Sequence, residues 1–578
     1  MLVKLPKYDF SDVKIDFIRS QKDNSVYEND STIVFIYGYP YSTTSDKWIN
    51  ANDIYNYYVV ESLDFINTID GFYSIMIIDK IKNISYFIVD RYGIYTLFYN
   101  KCKRYILVSD NIKQIIDNMG TVELNQQSII EYLNFGYKIG NKTHIKGIFE
   151  LEAAKKYEVD IDLIVKRRTY WNLLDLTESS KMSDKEFCTT FNEHHKKILK
   201  ISNNLCVPFT GGRDTRTILS CYMENLEKIN TYTHGPNYHT DVKLAQKVCS
   251  SLNIKHTYYK LNGDWFKGLT SKTFLLSDNK TFNGLNPFFD YTHVVDSLQK
   301  EQSKSDVFLS GILGNQLYRN HPFGNKIPES VQLKSVAAFI IKNLPSVFNF
   351  KTDLGAYYEN VFTQSNINQI NEQILKAVEK ELSNSIGAVS PLDYIQYFLY
   401  STYSSNFASS ILQLTGKYFK VIGSFFHKDL LQQVRLMSLR DRTKASIQNY
   451  IIKNNSIYLS KLPYYNSKRI TKYTKLILNK LWNHTFNRNL FHNPNVVNYP
   501  YWLRKYHKEF LLKTLDYDHM KLKSLFNKKE INHLISLFIE NKSSFRSKKA
   551  LLFNFSLDKF IINLISLELW LKDIEQLK

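Results

Sequence analysis

The stretch VPFTGGRDTRTILS, residues 207–220, gathers groups that could do chemistry. Gly211 and Gly212 sit between an apolar lead-in and an apolar exit, with Asp214 two residues on and hydroxyls at Thr210 and Thr215. A chain with only 20 glycines seldom places two together. Glycine lets backbone N–H groups approach phosphate oxygens, and a helix N-terminus adds partial positive charge. A carboxylate there could hold Mg²⁺, which takes carboxylate and phosphate oxygens together. The stretch is neither a P-loop nor a G-x-G-x-x-G fingerprint. A plain strand-to-helix turn with Asp214 as N-cap accounts for the same letters, so the motif alone leaves both readings open. Of the other reactive side chains, the five cysteines (Cys102, Cys188, Cys206, Cys221, Cys249) are odd in number and form no C-x-x-C, which indicates neither a disulfide framework nor a zinc site. His194 and His195 fall within a helical pattern and are expected on its surface.

The elements that must position these residues follow from periodicity. STIVFIYGYP, FYSIMIIDK, ISYFIVDRYG, YTLFYN and RYILVSD are short β-branched and aromatic runs punctuated by turns, which predicts hairpins in a layered sheet over the first 165 residues. A helix is expected over Gln126–Phe135 and a strand pair in KKYEVDIDLIVKRRTYWNL. Ser183 and Glu186 have the spacing of a capping box before SDKEFCTTFNEHHKKILKI. After it, LCVPFT, INTYTHG, KHTYYKL and DVFLSGILG read as strands alternating with helices, the spacing of a doubly wound parallel sheet. This places GGRD at a strand's C-terminal end, where an open parallel sheet takes its ligands. Beyond about residue 330 the pattern is mostly helical.

Composition narrows the class. The chain has 578 residues, 44% of them hydrophobic and 22% charged, which fits a globular protein of two or three domains. No apolar run reaches a membrane-spanning length and no signal-peptide pattern opens the chain, so a cytoplasmic location is expected. The formal charge is +20, with the excess concentrated between Lys461 and Glu530. Such a field suits a solvated basic face, a nucleotide or acidic substrate, or nucleic acid; a nucleic-acid partner is the most distant of these.

FTGGRDTR resembles the pyrophosphate loop of the ATP pyrophosphatases, in the branch that contains the asparagine synthetases. IDGFYSIMIIDKIKNISYFIVDRYGIYTLFY is similar to part of that family's glutaminase domain. SIIEYLNFGYKIGNKTHIKGIFELEAAKKYEVD resembles its domain junction, and RTYW the start of its synthetase half. FLSGILGNQLYRN is similar to the family's S-G-x-G-x-D-E-L-F loop, and SFFHKDLLQQV to its P-F-L-D element. The matches keep family order across roughly residues 30–470. The resemblance implies an α+β fold followed by an α/β fold. The N-terminal layered β-sheet domain would be of the N-terminal-nucleophile hydrolase type, at 1–170 in degenerate glutaminase-like form. An ATP-pyrophosphatase domain with a doubly wound parallel sheet and a helical C-terminal part would span 183–470, and 471–578 would form a basic helical extension.

The same resemblance assigns residues. Thr210, Gly211, Gly212, Asp214 and Thr215 would form the pyrophosphate loop, with Asp214 on the metal. Ser310 and Gly311 would contact the nucleotide, the backbone at His234 would meet adenine, and Asp70 would match a ligand-binding acid. ATP and Mg²⁺ are the implied cofactors. Three departures from the family pattern matter. Residue 2 is Leu where amidotransferases place a nucleophilic Cys, and NANDIYNYY is a reduced glutamine-binding segment. Ile312 stands where asparagine synthetases carry a catalytic acid and lactam synthetases a tyrosine, and it moves no proton. Asn315 replaces a second metal-binding Asp with a neutral oxygen donor, and Gln316 replaces the following Glu. The late lysine that balances pyrophosphate charge corresponds to Lys461 or Lys468, with Lys468 preferred as the catalytic residue. The implied reaction adenylates a small-molecule or peptide carboxylate and joins it to ammonia or an amine, without glutaminase activity. The alternative is a catalytically inactive homologue that acts by nucleotide binding or assembly. A homodimer is the candidate assembly.

Overall fold

The computed structural model describes the chain apart from residues 8–9, 11–12, 17–23, 176–180, 238, 262–296, 321–322, 345–359, 364–366, 464–498, 541–554 and 576–578. The aromatic and β-branched runs of the first part form two antiparallel sheets. One runs in the order β11 (Val165–Thr169), β10 (Lys155–Asp160), β6 (Ile84–Val89), β5 (Ile69–Asp79), β4 (Thr32–Ser42) and β3 (Asn24–Glu28). The other runs β2 (Lys14–Asp16), β1 (Leu2–Pro6), β8 (Tyr105–Ser109), β7 (Phe98–Lys101) and β9 (Ile148–Glu150). Strands β4 and β5 pair along their whole length, from Thr32 opposite Asp79 to Ser42 opposite Ile69.

The unbroken apolar letters of β4 have a physical cause. Phe35 and Tyr37 point into the large core shared with the second sheet, whereas Val34 and Ile36 point the other way, into a smaller cluster with Ile54 and Tyr58. Those two residues belong to α1 (Ala51–Glu61), which covers the outer face of the sheet. A strand buried on both faces cannot alternate polar and apolar residues. Helix α1 grows out of the segment read as a reduced binding motif, and Asn50 and Asp53 form a capping box at its start.

Helix α2 (Gln126–Phe135) follows the expected bounds. In α3 (Asp184–Ile201) the Ser183–Glu186 capping box is present in both directions. The parallel sheet then runs β14 (Lys255–Lys260), β13 (Ile229–Gly235), β12 (Leu205–Pro208), β15 (Val307–Ser310) and β16 (Lys420–Gly423). The chain winds outward from β12 to β14 and then crosses to β15 on the other side of β12. At such a reversal of strand order an open parallel sheet takes its ligands, here beyond the C-terminal ends of β12 and β15. Strand β16 interrupts a region whose pattern is otherwise helical; at four residues it is too short to show a period.

Phe72 of β5 packs edge-on against Phe426, their rings 5.0 Å apart, and the Tyr39 hydroxyl donates to Gly416 O at 2.7 Å. At the end of the chain a long helix, Phe555–Glu575, returns to α2, where Asn563 Nδ2 donates to the carbonyls of Tyr132 and Leu133 at 3.1 Å. No helix among the described residues is long and apolar enough to cross a membrane.

Candidate functional site

Two loops meet beyond the C-terminal ends of β12 and β15. After β12, Phe209 N donates to Tyr232 O at 2.9 Å, and the chain turns through Gly211 at φ +70° into α4 (Arg213–Ser220). A Cβ on Gly211 would lie 2.7 Å from Leu244 Cδ2, on α5 (Thr240–Ser251). Backbone conformation and packing therefore both require this glycine. Gly212, at φ −66°, is the N-cap of α4 and offers no side-chain cap. The turn reading is corrected in one respect, because Asp214 is the second residue of the helix and not its cap. The N–H groups of the first turn thus have no side-chain cap. Thr210 Oγ1 accepts from Gly212 N at 3.3 Å and Thr215 Oγ1 donates to Gly212 O at 3.3 Å, so both hydroxyls brace the loop.

Arg216 holds the loop from beneath. Fully buried, it donates from Nε to Gly211 O at 2.6 Å, from Nη1 to Leu462 O at 2.8 Å and from Nη2 to Pro463 O at 2.7 Å. Sequence reading missed this residue; its signal is an arginine on the apolar side of an eight-residue helix. The clamp ties the loop to the chain just after Lys461, which is exposed. Lys468 lies outside the described residues.

The second loop leaves β15 at Ser310, whose Oγ accepts from Ile312 N at 3.2 Å. A Cβ on Gly311 would come 3.5 Å from Asp214 Cβ, and one on Gly314 would come 2.8 Å from Asp214 Oδ1. The two loops are therefore in contact at Asp214. Asn315 lies in the first turn of α6 (Gly314–Arg319). Two further side chains reach Asp214, neither anticipated from sequence. Arg319 Nη2 lies 3.1 and 3.4 Å from its two oxygens, and Gln448 Nε2 donates to Oδ1 at 2.7 Å. Burial pushes the Asp214 carboxyl above its usual range, and the positive charge of Arg319 pulls it back. Among the described residues, no group of three or more His, Cys, Asp or Glu is arranged to hold a metal ion. With its carboxylate already engaged by a guanidinium and an amide, Asp214 does not fit a divalent cation. His234, on β13, and Thr210 each stand two residues beyond the Pro208–Tyr232 pair, which puts His234 beside the loop.

Asp70 is distant in sequence from both loops and buried, with Arg91 Nη1 3.5 Å from Oδ1; Arg91 also donates to the carbonyls of Ile69 and Ile66. Leu2 is buried on β1, between β2 and β8. His194 and His195 are buried, against the surface position expected. The His195 Nδ1 lies 2.7 Å from the Tyr222 hydroxyl, and the His194 ring lies 4.9 Å from that of His427. Helix α3 packs this face inward, and burial lowers all three imidazoles, His195 to about 3.

Residues 37–171 match a glutamine amidotransferase domain family. The chain is 20% identical over 261 residues to asparagine synthetase [glutamine-hydrolyzing] 2 of Bacillus subtilis, a match covering 42% of this chain and 34% of the relative. It is 22% identical over 368 residues to a putative asparagine synthetase [glutamine-hydrolyzing] 2 of Methanocaldococcus jannaschii, covering 57% of this chain and 69% of the relative. The match thus spans about a third of the first relative's length. Among solved structures, the NH3-dependent NAD synthetase of Campylobacter jejuni aligns at 13% identity and a TM-score of 0.21, over 38% of this chain and 93% of that one. The NMN synthetase of Francisella tularensis aligns at 12% and 0.20, over 39% and 96%. Scores of that size establish no shared fold.

Proposed function

We propose that this chain, which is similar to asparagine synthetases, is an ATP-dependent ligase that adenylates a carboxylate and joins it to ammonia or an amine. One observation carries the reading: the Gly211–Gly212–Asp214 loop and the Ser310–Gly311 loop meet at the switch of strand order. The proposed layout is a degenerate glutaminase-like domain of N-terminal-nucleophile type at 1–170, an ATP-pyrophosphatase domain at 183–470 and a basic extension at 471–578. A carboxylate is a poor acyl donor. When its oxygen attacks the α-phosphorus of ATP, the bond to the β-phosphate breaks, pyrophosphate leaves and a mixed anhydride forms; the amine then attacks the acyl carbon and AMP departs. The protein's part is to position the reactants and offset phosphate charge.

In this reading the uncapped first turn of α4 receives the phosphates, Thr210 and Thr215 hold the loop in shape, and Ser310, Gly311 and the backbone at His234 border the nucleotide. Lys468 is proposed to meet the pyrophosphate; it follows five residues after Pro463, whose carbonyl Arg216 anchors. Mg²⁺, the usual companion of ATP phosphates, does not fit Asp214 in its present pairing, and no step is assigned to it. Asp70 is proposed to bind substrate. Ammonia or an amine is proposed as the nitrogen source, without glutaminase activity of the chain's own.

The neutral residues Ile312, Asn315 and Gln316 favour a second reading, that of an inactive homologue that binds nucleotide. A screen of amino acids, sugar acids and short peptides with ATP and ammonia separates the two. The ligase releases pyrophosphate with at least one acid, and Asp214→Ala abolishes that release. Nucleotide binding without any pyrophosphate release would leave the inactive homologue.

A further inference from the structure

We propose that Arg319 is the built-in cation where the two loops meet, receiving nucleotide phosphates where a metal-dependent site would use a divalent ion. The inference rests on the nucleotide reading above and concerns how that site balances charge. Asp214 is the one carboxylate that the two loops bring together, since positions 312, 315 and 316 are Ile, Asn and Gln. The Arg319 guanidinium, 3.1 Å from Asp214 Oδ2, pairs with that negative charge, and the positive charge of Arg213 adds to the same field. A divalent ion added beside the pair would face a fixed like charge at close range, and every ångström counts there because Coulomb energy scales inversely with distance.

The surroundings hold the arginine in place. Gly314 passes so close to Asp214 that an added Cβ would sit 2.8 Å from Oδ1, so the first turn of α6 lies directly against the carboxylate. Arg319 ends the same short helix, and its head comes back to the same group. On the far side Gln448, fully buried on the helix Ser446–Asn455, donates Nε2 to Asp214 at 2.7 Å. Its Oε1 is buried with no donor among the described protein groups, so Nε2 is the atom by which Gln448 engages the carboxylate. The guanidinium thus sits at the start of α4, where backbone N–H groups have no side-chain cap. A planar fork of donors suits phosphate oxygens, and arginine keeps its charge at every physiological pH. Asp214 in this arrangement orients the guanidinium.

Titration calorimetry with ATP, in EDTA and in millimolar Mg²⁺, tests this on the full-length protein. The wild type is expected to bind ATP in both solutions with similar affinity. Arg319→Gln should lose about tenfold or more in EDTA, the effect of removing charge-assisted hydrogen bonds, and Arg319→Lys should retain most of the affinity. A second readout uses Mn²⁺ alone, followed by electron paramagnetic resonance. The wild type should bind no Mn²⁺ at Asp214, whereas Arg319→Gln, which frees the carboxylate, should gain a site that Asp214→Ala removes. Binding of ATP only with Mg²⁺, or unimpaired binding by Arg319→Gln in EDTA, would overturn the role given to Arg319 and leave the nucleotide site standing. Absence of ATP binding in both solutions would remove the nucleotide reading and this inference with it.

Discussion

His195 is held neutral by what surrounds it. The Phe191 ring lies 4.7 Å from its own, the Tyr222 hydroxyl sits 2.7 Å from Nδ1, and burial lowers the imidazole to about 3. An unfolded histidine titrates near 6.5, so below that pH the unfolded chain binds a proton that the folded chain refuses. The contribution is fully present above about pH 6.5 and is lost as pH falls toward 3, at about 1.4 kcal/mol per pH unit. His194 acts in the same direction. Urea denaturation of the wild type and His195→Asn between pH 7 and pH 5 should show a shallower loss of stability in the variant. Equal slopes would mean that His195 gains its proton while folded. Nothing in the letters HHKK marks these rings as buried; only the packing of α3 against Tyr222 and His427 does.

At the scale of the element, the turn into α4 separates two glycines that look alike in sequence. Gly211→Ala must hold φ near +70° and push against Leu244, so it should destabilise the protein by about 1–3 kcal/mol. Adding Leu244→Ala relieves the contact but not the backbone, so the double variant should recover none of the conformational part. Gly212→Ala, at φ −66° with its nearest neighbour a threonine hydroxyl at 3.2 Å, should unfold at nearly the wild-type urea concentration. If Gly212→Ala is as damaging as Gly211→Ala, the loop is tighter than its backbone angles indicate. Here the sequence was largely legible. A glycine pair between a short apolar strand and a helix marks its place by chain chemistry alone, as the Ser183–Glu186 box does for α3. Strand β16 was not legible, because four residues amid helices show no period. Arg319 and Gln448 were not legible either: their roles arise when residues 105 and 234 positions from Asp214 fold onto it.

Across the whole molecule, the antiparallel sheets and the parallel sheet meet at a joint of rings and hydroxyls. Tyr92 donates to Phe426 O, Tyr400 to Arg91 O and Tyr39 to Gly416 O, with Phe72 packed on Phe426. Separating the parts would leave buried tyrosine hydroxyls and large apolar rings facing water, each carbonyl losing its donor. A chain divided after Asp175 should therefore give an N-terminal piece that aggregates or binds a hydrophobic dye when made alone, and that elutes with the remainder on gel filtration when the two are made together. A soluble N-terminal piece with a sharp melting transition would show that the joint is dispensable.

The same joint gives the antiparallel sheets a mechanical role. The loop elements on either side of β16 lean on tyrosines of the antiparallel sheets to keep their places. Deleting those sheets would strip a supporting wall from the loops around β16. The shape of the parallel sheet's loops is then set partly by side chains that arrive from another sheet altogether.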